Sequence, residues 1–263
     1  MTDSVTDRLH RVSSHEKTIE DYFSGNVSFS KAMPIFDDTL VLMAFTNRCG
    51  SNLLGQYLIG TNRFTGFQEI LNSDFVVEVS AKRGLPSFPE YFSKIYTHNE
   101  SEGVLFGVKA SYGQILMLHR WRILEMFKSV KIIHIERMDL LAQAVSFAIA
   151  KKTKQWTSEM EKVSEPIFEY SEVERLLEEI TLDNVGISII ASILEIEKFD
   201  VIYENLVGNP SDTLKGIFSF LDLECEPIRI ISPAIKMQRN ETNSNFLTKF
   251  RAEFKKRFIP EDR

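Results

Sequence analysis

A chain of 263 residues, 43% hydrophobic and 26% charged, is long enough to bury one large α/β core and has the composition of an ordinary globular protein. With 37 acidic against 31 basic residues and a net charge of −6, it lacks the cationic surplus of a general nucleic-acid or anionic-membrane binder. A small anion site stays open, because it needs only a few local cations and aimed backbone N–H groups.

In chain order, residues 1–38 are polar with scattered apolar positions (Val5, Leu9, Val12, Ile19, Phe23) and read as an N-terminal arm or short helix. Thr39 to Phe45 (TLVLMAF) is a short apolar run, the mark of a buried strand. A polar turn, Thr46 to Asn52, follows, and then Leu53, Leu54, Tyr57 and Leu58 fall at helical spacing. A second strand is expected at 104–110 (VLFGVKA), with a helical stretch through Ile115, Leu118, Leu124 and Phe127. A third, 131–136 (KIIHIE), leads to a long helix from Asp139 to Met160. Residues 173–196 form an amphipathic helix, 199–203 a fourth strand, 209–221 a further helix, and 243–258 the last helix.

Strands alternating with helices predict a parallel sheet covered on both faces, a three-layer α/β/α single domain over 39–258 with a tail at 259–263. The first twenty residues carry no apolar h-region, and no later apolar run is long enough to span a membrane. No signal peptide or integral membrane segment is therefore predicted, and the expected localisation is cytoplasmic. Cys49 and Cys225 stand far apart with no metal-ligand spacing, which points away from a disulfide scaffold or a zinc site.

The turn after the first strand is the first place with chemistry in it. Ligands of open α/β sheets collect at the carboxyl ends of strands, where a helix N-terminus faces an anion. Here Thr46-Asn47-Arg48-Cys49-Gly50-Ser51-Asn52 supplies a cation, a flexible glycine and two short polar tips, which suits a phosphate or sulfate. It is not a Walker A loop, which needs two glycines four residues apart and then Lys-Ser/Thr. Read alone, the turn fits equally a plain helix cap made by Asn47 and Ser51.

Four segments together carry a resemblance: Phe45 to Leu54 (FTNRCGSNLL), Gly66 to Leu71 (GFQEIL), Ile135 to Phe147 (IERMDLLAQAVSF) and Tyr203 to Leu221 (YENLVGNPSDTLKGIFSFL). Weaker echoes lie in Gly107 to Gln114 and Met237 to Arg251. In this order and spacing the chain resembles the bacterial carbohydrate sulfotransferases of the trehalose 2-sulfotransferase type, and more distantly the wider sulfotransferases that use 3′-phosphoadenosine 5′-phosphosulfate (PAPS).

The resemblance implies a P-loop-like sulfotransferase fold, PAPS as sulfuryl donor, and a sugar or glycolipid hydroxyl as acceptor, with no metal. Carried over residue by residue, Asn47, Arg48, Cys49, Gly50, Ser51 and Asn52 form the turn that cradles the 5′-phosphosulfate, with Arg48 beside the bridging oxygen. Arg137 and Ser146 grip the 3′-phosphate. Glu69 falls where the trehalose enzyme keeps its catalytic base, and Gln68, Lys109, Tyr112 and Trp156 become acceptor-side candidates.

These roles agree with the chemistry of an in-line displacement, in which charge builds on the leaving oxygen and positioning dominates. The departures are Cys49 and Asn52, where the family has serine and threonine. Thr65-Gly66-Phe67 stands where the trehalose enzyme has Gly-Glu-Pro, which weakens the case for trehalose itself. Met237 takes the place of a family arginine, with Arg239 two positions later.

Against each role stands a plain alternative. Glu69, expected to open or lie within a helix, could be a solvated carboxylate. Lys109 could form an interior ion pair, Tyr112 and Trp156 could pack at helix edges, and His134 could be a core histidine. Two other functional classes remain at this stage, a nucleotide-dependent kinase and a non-catalytic nucleotide-binding module. A homodimer is allowed by the sequence.

Overall fold

Alternating burial explains why the apolar run 39–45 lies at the centre of the molecule. Leu40, Leu42 and Ala44 are buried against one set of helices, and Val41 and Met43 against another. Successive side chains of a strand point to opposite faces, so an unbroken apolar run means both faces are covered. The computed structural model describes residues 5–101, 104–156, 160, 163–224 and 241–258, in which this run forms β1, Phe36–Phe45.

Ahead of it come α1 (Val5–Leu9) and α2 (Ser14–Tyr22). After β1 follow α3 (Ser51–Gly60), β2 (Phe64–Gly66), α4 (Ser73–Arg83), α5 (Phe88–Asn99), β3 (Leu105–Ala110) and α6 (Tyr112–Arg120). Next are β4 (Phe127–Glu136), α7 (Leu140–Thr153), α8 (Tyr170–Ile193), β5 (Lys198–Ile202), α9 (Tyr203–Gly208), α10 (Pro210–Phe220) and α11 (Glu241–Phe258).

Among the described residues the strands form one five-stranded sheet, all parallel, in the order β2-β3-β1-β4-β5. The fold is therefore the parallel α/β/α sandwich expected from the alternation of strands and helices. The chain leaves β1 toward β2 on one side and later crosses back from β3 to β4 on the other. The order thus reverses around β1, and the carboxyl ends of β1, β3 and β4 flank a natural ligand crevice.

Several boundaries differ from the sequence pattern. Between residues 61 and 101 lie β2, α4 and α5, none of them among the expected elements. β2 is only three residues long, whereas α5 (FPEYFSKIYTHN) carries a helical signal that went unused: its five buried residues, four of them aromatic, fall at i, i+3, i+4, i+7 and i+8. Phe127 belongs to β4 rather than to the preceding helix. The helix expected to reach Met160 ends at Thr153, where Lys154 turns to positive φ (+57°) and breaks it.

The N-terminal arm is built into the core: Ile19, Phe23, Val27 and Phe29 are buried with residues of α5 and α6. Its polar anchor is Glu16, buried and ion-paired with Arg120, which also donates to the backbone oxygen of Arg11. No helix among the described residues is long and apolar enough to cross a membrane. Cys225, Met237, Arg239 and the tail 259–263 lie outside the described residues.

Candidate active site

The backbone of the β1–α3 turn is shaped before any side chain acts. Arg48 has φ +67° and Gly50 φ +102°, so the chain folds back sharply and α3 starts with Gly50 as its N-cap. Gly50 has no side chain to cap the helix, which leaves the positive end of α3 facing whatever lies in front of it. Glycine is also required sterically, because a Cβ at this position would fall 2.3 Å from Cδ2 of Tyr203. Gly50→Ala is therefore expected to destabilise the protein by about 1–3 kcal/mol through strain and displacement of Tyr203. A denaturant-unfolding midpoint unchanged from the wild type would contradict this.

The turn is tied to α7 by a buried amide. Gln143 Nε2 donates to Thr46 Oγ1 (2.9 Å) and to the backbone oxygen of Asn47 (2.8 Å). Before α7, the Glu204 carboxylate accepts from the backbone N–H of Met138 (3.0 Å), and Asp139 caps α7 by accepting from Ala142 N–H. Two strand-end segments are thus locked side by side, and each presents an arginine.

Both arginines line one cavity of about 820 Å³ at the carboxyl ends of the strands. Arg48 Nε donates to Ser146 Oγ at 3.1 Å, and its Nη1 donates to the backbone oxygen of Trp156. Burial lowers the Arg48 pKa, and the nearby positive charge of Arg137 lowers it further. The Arg137 side chain is only 10% exposed, with its guanidinium over the Tyr203 ring (5.3 Å) and its Nε 3.9 Å from Glu204 Oε1. That distance is too long for a hydrogen bond, and Arg137 Nε has no hydrogen-bond partner among the described residues. Two mutually repelling, buried cations with an unmet donor form a site that an anion would stabilise.

The opposite wall holds a second constellation. Lys109, at the end of β3 and almost fully buried, donates from Nζ to Asn52 Oδ1 (2.6 Å) and to Glu69 Oε1 (2.8 Å). Asn72 Nδ2 donates to the other oxygen, Glu69 Oε2, at 3.0 Å. Glu69 lies in the connection between β2 and α4 rather than in a helix, and its side chain is 49% exposed toward the cavity. Both alternatives for Lys109 hold at once: it forms the interior ion pair and lines the cavity.

Asn47, Arg48, Gly50, Ser51, Asn52, Glu69, Lys109, Arg137, Ser146 and Trp156 thus converge on one cavity. Three residues named from the sequence do not line it. Cys49 points into the core below the turn, where burial pushes its thiol pKa up. Gln68 faces solvent next to Glu69. Tyr112 is buried against Gly186 of α8, where a Cβ would fall 2.4 Å from its ring, so its place is helix packing. Among the described residues one group has metal-ligand spacing, His134, Glu136 and Asp200, and none of the three lines the cavity. Lys198 already ion-pairs with Asp200 and opposes a cation there.

The sequence model of the Stf0 sulphotransferase family matches residues 99–253, more than half of the chain. The chain belongs to the Stf0 sulphotransferase family. The Stf0 match takes in Lys109, Arg137, Ser146 and Trp156, while the β1–α3 turn and Glu69 precede it. Among solved structures, the chain is similar to the sulfotransferase domain of the curacin biosynthetic pathway, at 15% identity and a TM-score of 0.52, over 83% of this chain and 98% of that one. It is likewise similar to the sulfotransferase domain of the Synechococcus PCC 7002 olefin synthase, at 16% identity and a TM-score of 0.52, over 85% and 98%. At these identities the likeness is one of fold. No curated protein matches the chain in sequence.

Several cavity-lining residues were not singled out by the sequence, Asn72 and His15 among them. His15, on α2 of the N-terminal arm, lines the cavity beside Glu69. Its only sequence signal is a histidine two residues after an N-cap serine, which by itself indicates nothing.

Proposed function

We propose that this Stf0 protein transfers a sulfuryl group from PAPS to a hydroxyl of a saccharide or glycolipid. The observation that carries the donor assignment is that Arg48 and Arg137, from different strand ends, open into one cavity at the N-terminus of α3. PAPS has two anionic centres, a 5′-phosphosulfate and a 3′-phosphate, and a pair of adjoining cationic grips matches that distribution.

In this reading the α3 turn and Arg48 hold the phosphosulfate, while Arg137 and Ser146 hold the 3′-phosphate. The acceptor oxygen attacks sulfur and the sulfur–oxygen bond to the 5′-phosphate breaks. Glu69 takes the hydroxyl proton, and 3′,5′-adenosine bisphosphate leaves with its charge facing Arg48. The step is written without a metal, because the leaving 5′-phosphate is already a stable anion and faces Arg48. A saccharide or glycolipid is favoured as acceptor because the side chains that interact with Glu69 in the cavity, Lys109, Asn72 and His15, are all polar.

Thermal unfolding with added nucleotides tests the donor assignment, since a ligand that binds only the folded state raises its apparent stability. The melting temperature is expected to rise with 3′,5′-adenosine bisphosphate far more than with AMP. A greater rise with ATP and Mg²⁺ would favour a kinase instead. Arg137→Ala is expected to weaken bisphosphate binding by about 2 kcal/mol or more, roughly thirty-fold, because it removes a largely buried cation whose Nε has no hydrogen-bond partner among the described residues. Unchanged affinity in calorimetric titration would remove Arg137 from the donor site.

A further inference from the structure

We propose that the N-terminal arm completes the acceptor end of the cavity, with His15 as a specificity-determining hydrogen-bond donor to a polyhydroxylated, neutral acceptor. The inference rests on the reading of Glu69 as the base and extends it to what recognises the acceptor.

The geometry of His15 defines which nitrogen is available. α2 is held on the core by Ile19 and by the Glu16–Arg120 ion pair, and Ser13 caps it by accepting from Glu16 N–H (3.1 Å). Across the arm boundary, His15 Nδ1 accepts the backbone N–H of Ser73 at 3.1 Å and lies 3.0 Å from Ser73 Oγ. Ser73 is the first residue of α4, so its N–H is among those that the helix itself leaves unpaired. A nitrogen that accepts from a backbone N–H carries a lone pair, not a proton. The neutral ring therefore holds its hydrogen on Nε2, and His15 enters the cavity as a donor.

The neighbours of His15 define the class of acceptor. The lining residues from α2, from the β2–α4 and β3–α6 connections and from α6 are His15, Glu69, Asn72, Ser111 and Gln114. All five present hydrogen-bonding heads, and none presents an aliphatic or flat carbocyclic face. Several of these heads are fixed to one another: Gln114 accepts Ser111 N–H (2.9 Å) and donates to Asn72 Oδ1 (3.4 Å), and Asn72 donates to Glu69.

Phe45, another lining ring, has Lys109 Nζ over it, 4.8 Å from the ring centroid. A phenol or an alkyl alcohol would leave these polar groups unpaired on binding. A sugar would satisfy them, presenting one hydroxyl to Glu69 and a neighbouring oxygen to His15 Nε2–H.

The test uses His15→Asn in the full chain. Asparagine Oδ1 occupies the place of Nδ1 and keeps the contact to Ser73, but the variant has no group at the Nε2 position. Transfer from labelled donor would be measured to glucose, trehalose and methyl glucosides, and also to 4-nitrophenol and octanol. Sugars are expected to be the accepted class, with their KM raised about tenfold in the variant and the donor KM unchanged. In ¹⁵N spectra of the wild type, His15 should show an unprotonated Nδ1 and a protonated Nε2 whose resonance moves when sugar is added.

An unchanged sugar KM, an equal rise in donor KM, or preference for the phenol or alkyl alcohol would each overturn the proposal. Absence of transfer to every sugar would overturn it too. Glu69→Gln is assayed beside it: if that variant stays active while His15→Asn still raises the sugar KM, the base assignment fails and the acceptor subsite stands.

Discussion

Replacing Glu69 by glutamine is expected to lower kcat by roughly 10²- to 10⁴-fold while binding of 3′,5′-adenosine bisphosphate is retained. Each Glu69 oxygen is already engaged once, Oε1 by Lys109 and Oε2 by Asn72, and each keeps a lone pair for an incoming hydroxyl. Burial raises the pKa of this carboxyl, but the Lys109 charge and the hydrogen bonds from Lys109 and Asn72 bring it below the usual 4.5.

Glu69 is therefore an anion at neutral pH and a weak base. A weak base can take a sugar proton only late, when attack on sulfur has made that proton acidic. The pH dependence follows with a definite sign. The base works deprotonated, so kcat/KM should hold steady from neutrality downward and fall only as pH drops below about 4.5, the ordinary carboxylate value. An acid limb near neutrality, or a glutamine variant with full activity measured under saturating donor, would assign the base elsewhere.

The second large effect is expected at Arg48. Arg48→Ala should lower kcat by roughly 10²- to 10³-fold, the usual consequence of removing one group that stabilises charge as it develops. Its guanidinium stands at the N-terminus of α3, between Ser146 and the carbonyl of Trp156, in a position set by a positive-φ turn. Burial and the neighbouring Arg137 both disfavour its charge, so a bound polyanion relieves an unfavourable arrangement already present.

Arg48→Lys separates charge from geometry. A lysine restores a cation without the planar fork and should recover only part of the rate. Burst-phase measurement of bisphosphate formation gives the chemical step directly. A lysine variant equal to wild type would mean that charge alone suffices, and an alanine variant equal to wild type would mean that the leaving oxygen is stabilised by another group.

The parts of the site that could be read from the chain are those that are contiguous in it. Arg48, Gly50, Ser51 and Asn52 follow one apolar strand and open one helix, and a turn of that composition at a strand's carboxyl end suits an anion whatever surrounds it. The alternation of strands and helices likewise implied the parallel three-layer fold, because each strand reads as apolar on both faces. Elements were lost where side-chain period gave no signal, as in the three-residue β2, and where a signal went unused, as in α5, whose buried aromatic residues keep helical spacing. Tyr112 stayed open between an acceptor-side role and helix packing, because an aromatic residue after a strand reads the same whether it faces a cavity or, as here, the bare backbone of Gly186.

From its own residues the sequence determined local chemistry: a cationic turn, a buried central strand and a carboxylate in the Gly66 to Leu71 segment. The tertiary structure decided which of these meet. Arg48 reaches Ser146 across 98 residues, Lys109 reaches Glu69 across 40, and His15 reaches Ser73 across 58. Those encounters follow from the strand order β2-β3-β1-β4-β5, which gathers the carboxyl ends of separated strands at one edge. Periodicity reports only how each segment faces the core; which segment lies beside which depends on the packing of the whole chain, and that has no local signature.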